Sequence, residues 1–458
     1  MYFPNALEQA CGHLIKNGLS PYVVGGAVRD WLLKLTPKDF DIEVHGVTSE
    51  EEFEKILSQI GQVDIVGKSY GIYKVKLGDG ETYDFSLPRI EVKVGNGHKE
   101  FEVTVISGDN ILKQAAARRD FTINAIYWDV DFGGFEDPYG GIFDLRAGII
   151  RHTSGAFSED PLRVLRAFQF ASRFNFKVAP ETVELCKDIV GEFHTISKER
   201  IWVEFQKWAE KGIAPENGIL FLVDCGWITC FPLLNKIIGV KQSPIWHPEG
   251  DVFQHTIECL KAIRRVDPNL NGDRKIILTL AILCHDLGKI THTQFHADGK
   301  INSYGHEKAS GPLSREFLHS IDCPHWIIDQ VVPLVENHML QHGNISESVL
   351  RRAAVRVHPS NLIDLCFLME CDKRGRPPLP DERPEKIQVA LDLIVKLDIG
   401  IEKPKQILQG RHLIERGIKP GKDMGNILKV AYEAQLDGQF STVEGGLDLV
   451  LKHFNINK

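Results

Sequence analysis

The 458-residue chain contains no run of eighteen apolar residues and no Cys-x-x-Cys pair. The first absence leaves no stretch that would cross a bilayer as a helix. The second, with Cys225/Cys230 and Cys366/Cys371 at spacings of no common zinc pattern, makes the nine cysteines reduced and mostly buried thiols. Internal repeats and low-complexity tracts are also missing, which argues against solenoids and disordered tails. The opening Met1-Tyr2-Phe3-Pro4-Asn5 is not a signal peptide, so a cytoplasmic location is expected. An excess of basic charge is lacking too: 54 Lys and Arg stand against 62 Asp and Glu, a net charge of −8. That excludes a generic coat for nucleic acid but leaves room for a local basic groove. The length predicts two to four domains.

What is present begins at Tyr22-Val23-Val24-Gly25-Gly26-Ala27-Val28-Arg29-Asp30-Trp31-Leu32-Leu33. An apolar run reaches a Gly-Gly pair, where missing Cβ atoms allow close approach of backbone to a ligand. A short helix follows, with Val28, Leu32 and Leu33 on one face. Thr36-Pro37 breaks it, and Lys38-Asp39-Phe40-Asp41-Ile42-Glu43-Val44 reads as a strand. Residues two apart share a strand face, so Asp39 and Asp41 are expected to point together, with Phe40, Ile42 and Val44 towards a core. Two carboxylates at that spacing beside a Gly-Gly turn suit Mg²⁺ ions bridging a nucleoside triphosphate and an attacking hydroxyl. Asp-x-Asp or Gly-Gly alone is more often a solvated strand face or a turn; the two together favour a site.

The segment resembles the signature of class II template-independent nucleotidyltransferases, which comprise CCA-adding tRNA nucleotidyltransferases and bacterial poly(A) polymerases. Further motifs extend the resemblance. Tyr73 to Leu77 and Tyr83 to Leu87 read as strands joined through Gly78-Asp79-Gly80, and the resemblance implies a third catalytic carboxylate at Asp84. The polar stretch from Pro88 to Leu112 is a candidate mobile loop. Arg118-Arg119-Asp120-Phe121-Thr122-Ile123-Asn124-Ala125 matches another family motif, implying that Arg119 contacts the triphosphate and Asn124 supports the site. Gly25, Gly26, Arg29 and Arg166 are implied on the nucleotide as well.

Ser158-Glu159-Asp160-Pro161-Leu162-Arg163-Val164-Leu165-Arg166 opens a helix that Ser158 or Asp160 can cap. Asp160, Arg163 and Arg166 share a face. As a bare surface pair Asp and Arg would contribute only tenths of a kcal/mol. Their chemistry also fits base reading. A carboxylate accepts from the exocyclic amine of cytosine or adenine, and a guanidinium donates to the adjacent ring nitrogen, whereas uracil and guanine oppose both contacts. Glu-Asp-x-x-Arg resembles the family's base-reading motif, which implies these roles for Asp160 and Arg163. Gln169 departs from the pattern, because many CCA-adding enzymes carry an arginine there. Ile196 to Trp202 resembles a short motif that braces the neck.

A second constellation follows: His247-Pro248-Glu249-Gly250-Asp251 to His255, then His285-Asp286 closing an apolar helix, His306, His338 and Asp372. Each lone histidine is more often packed than ligating. The ordered set His255, His285, Asp286 and Asp372 resembles the HD metal-dependent phosphohydrolases, with His306 and His338 implied as ligands of a second metal. The resemblance implies hydrolysis of phosphomonoesters or 2′,3′-cyclic phosphates with a divalent metal of unspecified identity.

The expected fold is α+β: a nucleotidyltransferase head with a small mixed sheet (1–151), an all-α neck (152–238), an α-helical HD domain (239–378) and a helical tail supporting tRNA (379–458). The expected activity is addition or repair of the 3′-terminal CCA of tRNA from CTP and ATP, with Mg²⁺ at Asp39 and Asp41, and without a membrane partner. The competing readings are a CC- or A-adding enzyme, a poly(A) polymerase, an HD phosphohydrolase with an RNA-binding head, and a silent RNA-binding protein.

Overall fold

The computed structural model describes residues 3–67, 72–93, 101–105 and 110–455. The chain forms two compact units, Met1–Trp208 with Gly212–Cys230, and Ala209–Lys211 with Phe231–Lys458.

The first unit opens with α1 (Asn5–Lys16), β1 (Ser20–Val24), the short α2 (Gly26–Leu32) and β2 (Asp41–His45). Next come α3 (Glu50–Ile60), β3 (Gln62–Gly67), β4 (Ile72–Lys76) and β5 (Thr82–Ser86). The hairpin β6 (Arg89–Lys93) and β7 (Phe101–Val105) precedes α4 (Ile111–Ala117), β8 (Tyr127–Asp129), β9 (Gly134–Glu136) and α5 (Gly141–Ala147). Seven strands form one sheet in the order β3-β4-β5-β2-β1-β8-β9. Only the β2–β5 pairing in it is parallel, so the sheet is mixed, as expected. Phe40, Ile42 and Val44 are buried with Phe53, Leu57, Tyr73 and Phe85. Alternation thus drives one face of β2 into the core and leaves Asp41, Glu43 and His45 on the other.

Two expectations change here. Asp39 lies just before β2 rather than within it, exposed on the connecting segment. The stretch from Pro88 to Leu112, expected as a loop, contains the antiparallel β6–β7 hairpin. Its sequence supports this: Ile90 and Val92 alternate with the charged Arg89, Glu91 and Lys93, and Val103 and Val105 alternate with the polar Glu102 and Thr104. Residues 94–100 and 106–109 lie outside the described residues.

Helices follow: α6 (Leu162–Phe174), α7 (Pro180–Asp188), α8 (Lys198–Lys211) and α9 (Pro215–Asp224). Phe168 stacks on Trp208 at 5.4 Å between centroids and lies 5.0 Å from Phe205, anchoring α6 to α8. The Asp120 carboxylate joins this helical layer to the head. It accepts hydrogen bonds from the Phe121 amide (2.8 Å), Asn124 Nδ2 (2.9 Å) and Arg166 Nε of α6 (2.6 Å). Arg29 in α2 donates from Nη1 to Asn124 Oδ1 at 2.8 Å, and its guanidinium lies 4.8 Å from the Phe174 ring and 5.2 Å from that of Phe170. A continuous hydrogen-bond chain therefore runs from the Gly-Gly turn to α6.

The second unit contains α10 (Pro232–Lys236), α11 (Val252–Val266), α12 (Gly272–Cys284), α13 (Lys289–His292), α14 (His306–Ser320) and α15 (His325–Asn337). It continues through α16 (Glu347–Val357), α17 (Leu362–Arg374) and α18 (Glu385–Leu397). Three further helices, α19 (Gly410–Ile414), α20 (Lys422–Leu436) and α21 (Val443–His453), close around Leu413, Ile427 and Val450. The residues Gly417 to Gly421 form a turn there, with Lys419 exposed. No described helix is long and apolar enough to cross a membrane.

Burial alone would raise the Asp120 carboxyl, but Arg166, Asn124 and Arg163 outweigh it and hold it below the usual range. A carboxyl depressed on folding contributes stability above its unfolded pKa, and this is lost as pH falls towards the folded value. We expect Asp120→Asn to destabilise the first unit by about 1–3 kcal/mol at pH 7. The deficit should shrink below about pH 4. Urea melts of both proteins across pH check this; a deficit that stays constant down to pH 3 contradicts it.

Candidate active site of the head and candidate metal centre

The parallel register of β2 and β5 sets Asp41 directly opposite Asp84. On its other side Asp84 faces Lys74 of β4, whose Nζ lies 3.0 and 3.2 Å from the two carboxylate oxygens. The chain leaves β1 at Gly25 with φ +71°, which favours glycine. A Cβ at Gly25 would meet Arg119 Nη1 at 3.1 Å and Asp41 Oδ2 at 3.7 Å, so the bare turn lets backbone, cation and carboxylate converge. Asp41, Glu43, Asp84, Ser86, Arg118 and Arg119 line one cavity of about 300 Å³. The Asp41 carboxyl is held above its usual range, first by the desolvating mass of protein around it, then by the charges of Asp84 and Asp39, against the lowering effect of Arg119 and Lys74. Its side chain still reaches solvent. A carboxylate set that crowds its own negative charge at an open cavity fits a divalent cation.

Glu43, given no role by the sequence, belongs to this site. Its Oε2 lies 3.2 Å from Arg119 Nη2, and its Oε1 lies 2.8 Å from His45 Nε2. Burial works against the Glu43 charge, but His45 and Arg119 outweigh it and hold the carboxyl below its usual range. With Tyr127 beneath the guanidinium at 5.4 Å, Glu43 fixes Arg119 at the cavity wall. The signal was its place on the Asp41 face of the strand. Arg29, by contrast, is buried at 5% exposure and engages Asp30 and Asn124, so it braces the turn from behind.

On α6, Asp160 Oδ1 caps the helix by accepting from the Leu162 amide at 3.1 Å, and Oδ2 lies 3.2 Å from Arg200 of α8. Arg163 donates to the carbonyls of Ala156 (2.8 Å) and Arg118 (2.7 Å), using two of the five N–H donors of a guanidinium. Arg166 is bound to Asp120. Gln169 is buried at 2% exposure.

In the second unit five helices or their ends bring the remaining residues together. His255 lies on α11, His285 and Asp286 follow α12, His306 opens α14, His338 follows α15, and Asp372 lies on α17; all are buried. Gly288 lets α14 approach, because a Cβ there would meet the His306 carbonyl oxygen at 2.1 Å. The Nδ1 atoms of His285, His306 and His338 lie 2.6–2.8 Å from backbone carbonyls, so these atoms carry the protons and the Nε2 atoms are acceptors. The Nε2 atoms of the four imidazoles face one another in pairs: His255 and His285 at 3.4 Å, His306 and His338 at 3.2 Å. They also face carboxylates, with His255 3.2 Å from Asp372, His285 3.3 Å from Asp286, and His306 3.1 Å from Asp286 Oδ1, which has no hydrogen-bond donor. Converging lone pairs repel, and a divalent cation between them would relieve this. The donor set fits one. Cys259, a turn after His255, also lies in this cluster.

The sequence reading missed Glu249. Its buried Oε1 lies 2.7 Å from His255 Nδ1 and 2.9 Å from His247 Nδ1. Burial would raise its pKa, but the two imidazoles pull it down to about 2. A carboxylate on the far nitrogen of a ligating histidine fixes its tautomer and direction.

The sequence matches the Poly A polymerase head domain over residues 21–151 and the HD domain over residues 252–382. The fold and site thus define a nucleotidyltransferase head on an HD-domain chain. The multifunctional CCA protein of Tolumonas auensis is 34% identical over 393 residues, covering 82% of this chain and 91% of that protein. That of Pasteurella multocida is 36% identical over 368 residues, covering 78% and 84%. The chain belongs to the multifunctional CCA protein family. Its fold is also that of the Thermotoga maritima CCA-adding enzyme complexed with tRNA (TM-score 0.63, 21% identity, 99% and 96% of the two chains). The Bacillus stearothermophilus CCA-adding enzyme in complex with CTP is similarly alike (TM-score 0.66, 21% identity, 99% and 98%).

We expect Glu249→Ala to weaken divalent-metal binding to the second unit by about 10–100-fold, and Glu249→Gln by less. Calorimetric titration of the metal-stripped chain with Mn²⁺ reads this; unchanged affinity in Glu249→Ala would contradict the orienting role.

Proposed function

We propose that this chain adds or repairs the 3′-terminal CCA of tRNA, using CTP and ATP without a nucleic-acid template. The observation that carries the proposal is the convergence of Asp41, Asp84 and Arg119 at one cavity beside the Gly25 turn, with the Asp160–Arg163 helix tied to the same turn through Asp120. The relatives are named for CCA, and the solved complexes of similar fold hold tRNA or CTP.

In this reading Asp39 and Asp41, with Asp84 as the third catalytic carboxylate beside them, would hold Mg²⁺, and a bound Mg²⁺ would supply activation of the tRNA 3′-hydroxyl and neutralisation of charge on the departing pyrophosphate. Arg119, steadied by Glu43, binds the triphosphate, and the Gly25–Gly26 backbone lets it approach. Asp160 accepts from the base's exocyclic amine while Arg163 donates to the neighbouring ring nitrogen from donors not given to Ala156 and Arg118. Arg166 stands behind them on Asp120, and Arg29 acts as a brace. The four-part division at 151, 238 and 378 remains our proposed reading of the two units, with the tail supporting tRNA and the location cytoplasmic.

The second unit is proposed as a metal-dependent phosphohydrolase for phosphomonoesters or 2′,3′-cyclic phosphates, its divalent ions held by His255, His285, Asp286, Asp372, His306 and His338. A bound divalent metal would supply Lewis-acid activation of water and of the phosphoryl group. The chain's own part is to keep every Nε2 lone pair turned inward.

A second reading of the head is favoured by Gln169. Buried where an arginine is common in the resembling enzymes, it offers no charge, so a CC- or A-adding activity is the alternative. Purified protein given tRNAs ending before CCA, after C and after CC, with each triphosphate separately, separates the two. We expect C and then A to be incorporated in sequence; A alone, on the CC-ended tRNA, selects the alternative.

Asp41→Ala should reduce incorporation of both nucleotides by at least about 10³-fold, measured with labelled CTP and ATP; retained turnover would overturn the assignment. Arg163→Ala should relax base choice, read as UTP or GTP incorporation, and a variant still strict for CTP and ATP would contradict base reading by this residue.

A further inference from the structure

We propose that Lys373, Arg376 and Lys386 form a phosphate-binding wall beside the histidine–aspartate cluster, taking the phosphoryl group of a phosphate ester or free inorganic phosphate. The proposal rests on the reading of that cluster as a metal centre.

The wall is built from two backbone segments that meet at Asp372. Gln341 Nε2 donates to Asp372 Oδ2 at 2.7 Å, which fixes the turn after His338 against α17. The next residue, His342, lies with Nε2 3.0 Å from Lys373 Nζ. The Gly343 carbonyl, one residue further, holds Lys386 Nζ at 3.2 Å, with the Gln341 carbonyl at 3.5 Å. Arg376 donates from Nε to the Lys373 carbonyl at 3.3 Å, and from Nη1 to the Trp246 carbonyl at 3.4 Å. Three cations are thereby positioned by carbonyl oxygens and an imidazole nitrogen. None of these partners neutralises charge.

The neighbouring cations are treated differently. Arg374 pairs with Glu370 and Asp381, Arg383 with Glu370, Arg265 with Asp381, and Lys289 with Asp286. Each of these is matched by a carboxylate, whereas among the described residues Lys373, Arg376 and Lys386 form no ion pair, and the carboxylate nearest in effect to Lys373 is that of Asp372. Like charges held together repel unless an anion is shared between them. Gln341 and His342, adjacent on one turn, touch Asp372 and Lys373 respectively, so an anion on the wall would lie next to the metal ligands. Phosphate oxygens suit these donors: two ammonium groups and a guanidinium present many N–H bonds and no acceptor. The wall would hold the phosphoryl group while the cluster acts on it, and should therefore govern substrate affinity more than turnover.

The test uses the full chain loaded with Mn²⁺. Calorimetric titration with inorganic phosphate compares the parent with Lys373→Gln, Lys386→Gln, the double variant and Lys386→Arg. Each single Gln variant should bind phosphate about tenfold more weakly and the double variant about 100-fold, as expected for lost charge-assisted hydrogen bonds. Lys386→Arg should stay within about threefold, and Mn²⁺ affinity within about twofold, as expected for a retained cation and an untouched ligand set. A second arm titrates an oligoribonucleotide ending in a 3′-phosphate against its 3′-hydroxyl counterpart. A preference for the phosphorylated end that disappears in the double variant identifies an RNA end as the source, while no preference leaves small phosphates as the ligand. Undiminished phosphate binding in the double variant, or Mn²⁺ affinity falling in step with phosphate affinity, would overturn the proposal. A parent that binds no Mn²⁺ yet loses phosphate affinity in the double variant would remove the metal reading and leave the wall standing.

Discussion

Two carboxylates facing one another on adjacent strands repel, and the head is arranged around that repulsion. Asp41 and Asp84 are brought opposite by the parallel register of β2 and β5, a placement that disfavours folding when the charges are unmatched. The surroundings answer it incompletely. Lys74 pairs with Asp84 from the next strand, Arg119 reaches the Asp41 side, and the Asp41 carboxyl is still pushed above its usual range. The hydrophobic face of the same strands, with Ile42, Val44 and Phe85 fully buried, holds the register against this opposition. A fold that maintains a charge conflict at a cavity is one in which a cation completes the balance.

The second unit reaches the same condition with different materials. Its conflict is of lone pairs as well as charge: backbone carbonyls occupy the Nδ1 side of three imidazoles, so each Nε2 turns towards another acceptor. Helix ends make this economical, because the last turn of a helix has free carbonyls to offer. His285 and His338, both just beyond a helix C-terminus, bond back to Ile282 and Val335 respectively. Glu249 performs for His255 what those carbonyls perform for the others.

Local patterns made much of this visible in the sequence. The Gly-Gly turn and the core-facing Phe40, Ile42 and Val44 follow from spacing and composition, whereas the ordered histidine–aspartate set was legible only through the family resemblance. Pairing did not. That Asp41 would lie opposite Asp84 depends on β2 choosing β5, more than forty residues away, as a parallel neighbour. No local period encodes this. The Asp39 position shows the converse limit: a two-residue spacing implied a shared strand face, but the ladder begins at Asp41. Glu43 and Glu249 were passed over because each acts through another side chain, and such a role becomes visible only when the partner's position is known. Arg29 was legible as part of a motif but not as a brace, since its partner Asn124 is 95 residues distant.

The hydrogen-bond chain Arg29–Asn124–Asp120–Arg166 has a mechanical meaning. It ties the glycine turn to α6 as the two jaws of a calliper, joined by side-chain hydrogen bonds. If, as proposed, one jaw takes the triphosphate and the other the base, the gap between them is a fixed gauge. A nucleotide is then tested on its length as well as its hydrogen-bonding edge, and a pyrimidine and a purine can be accommodated only by side chains moving within the gap.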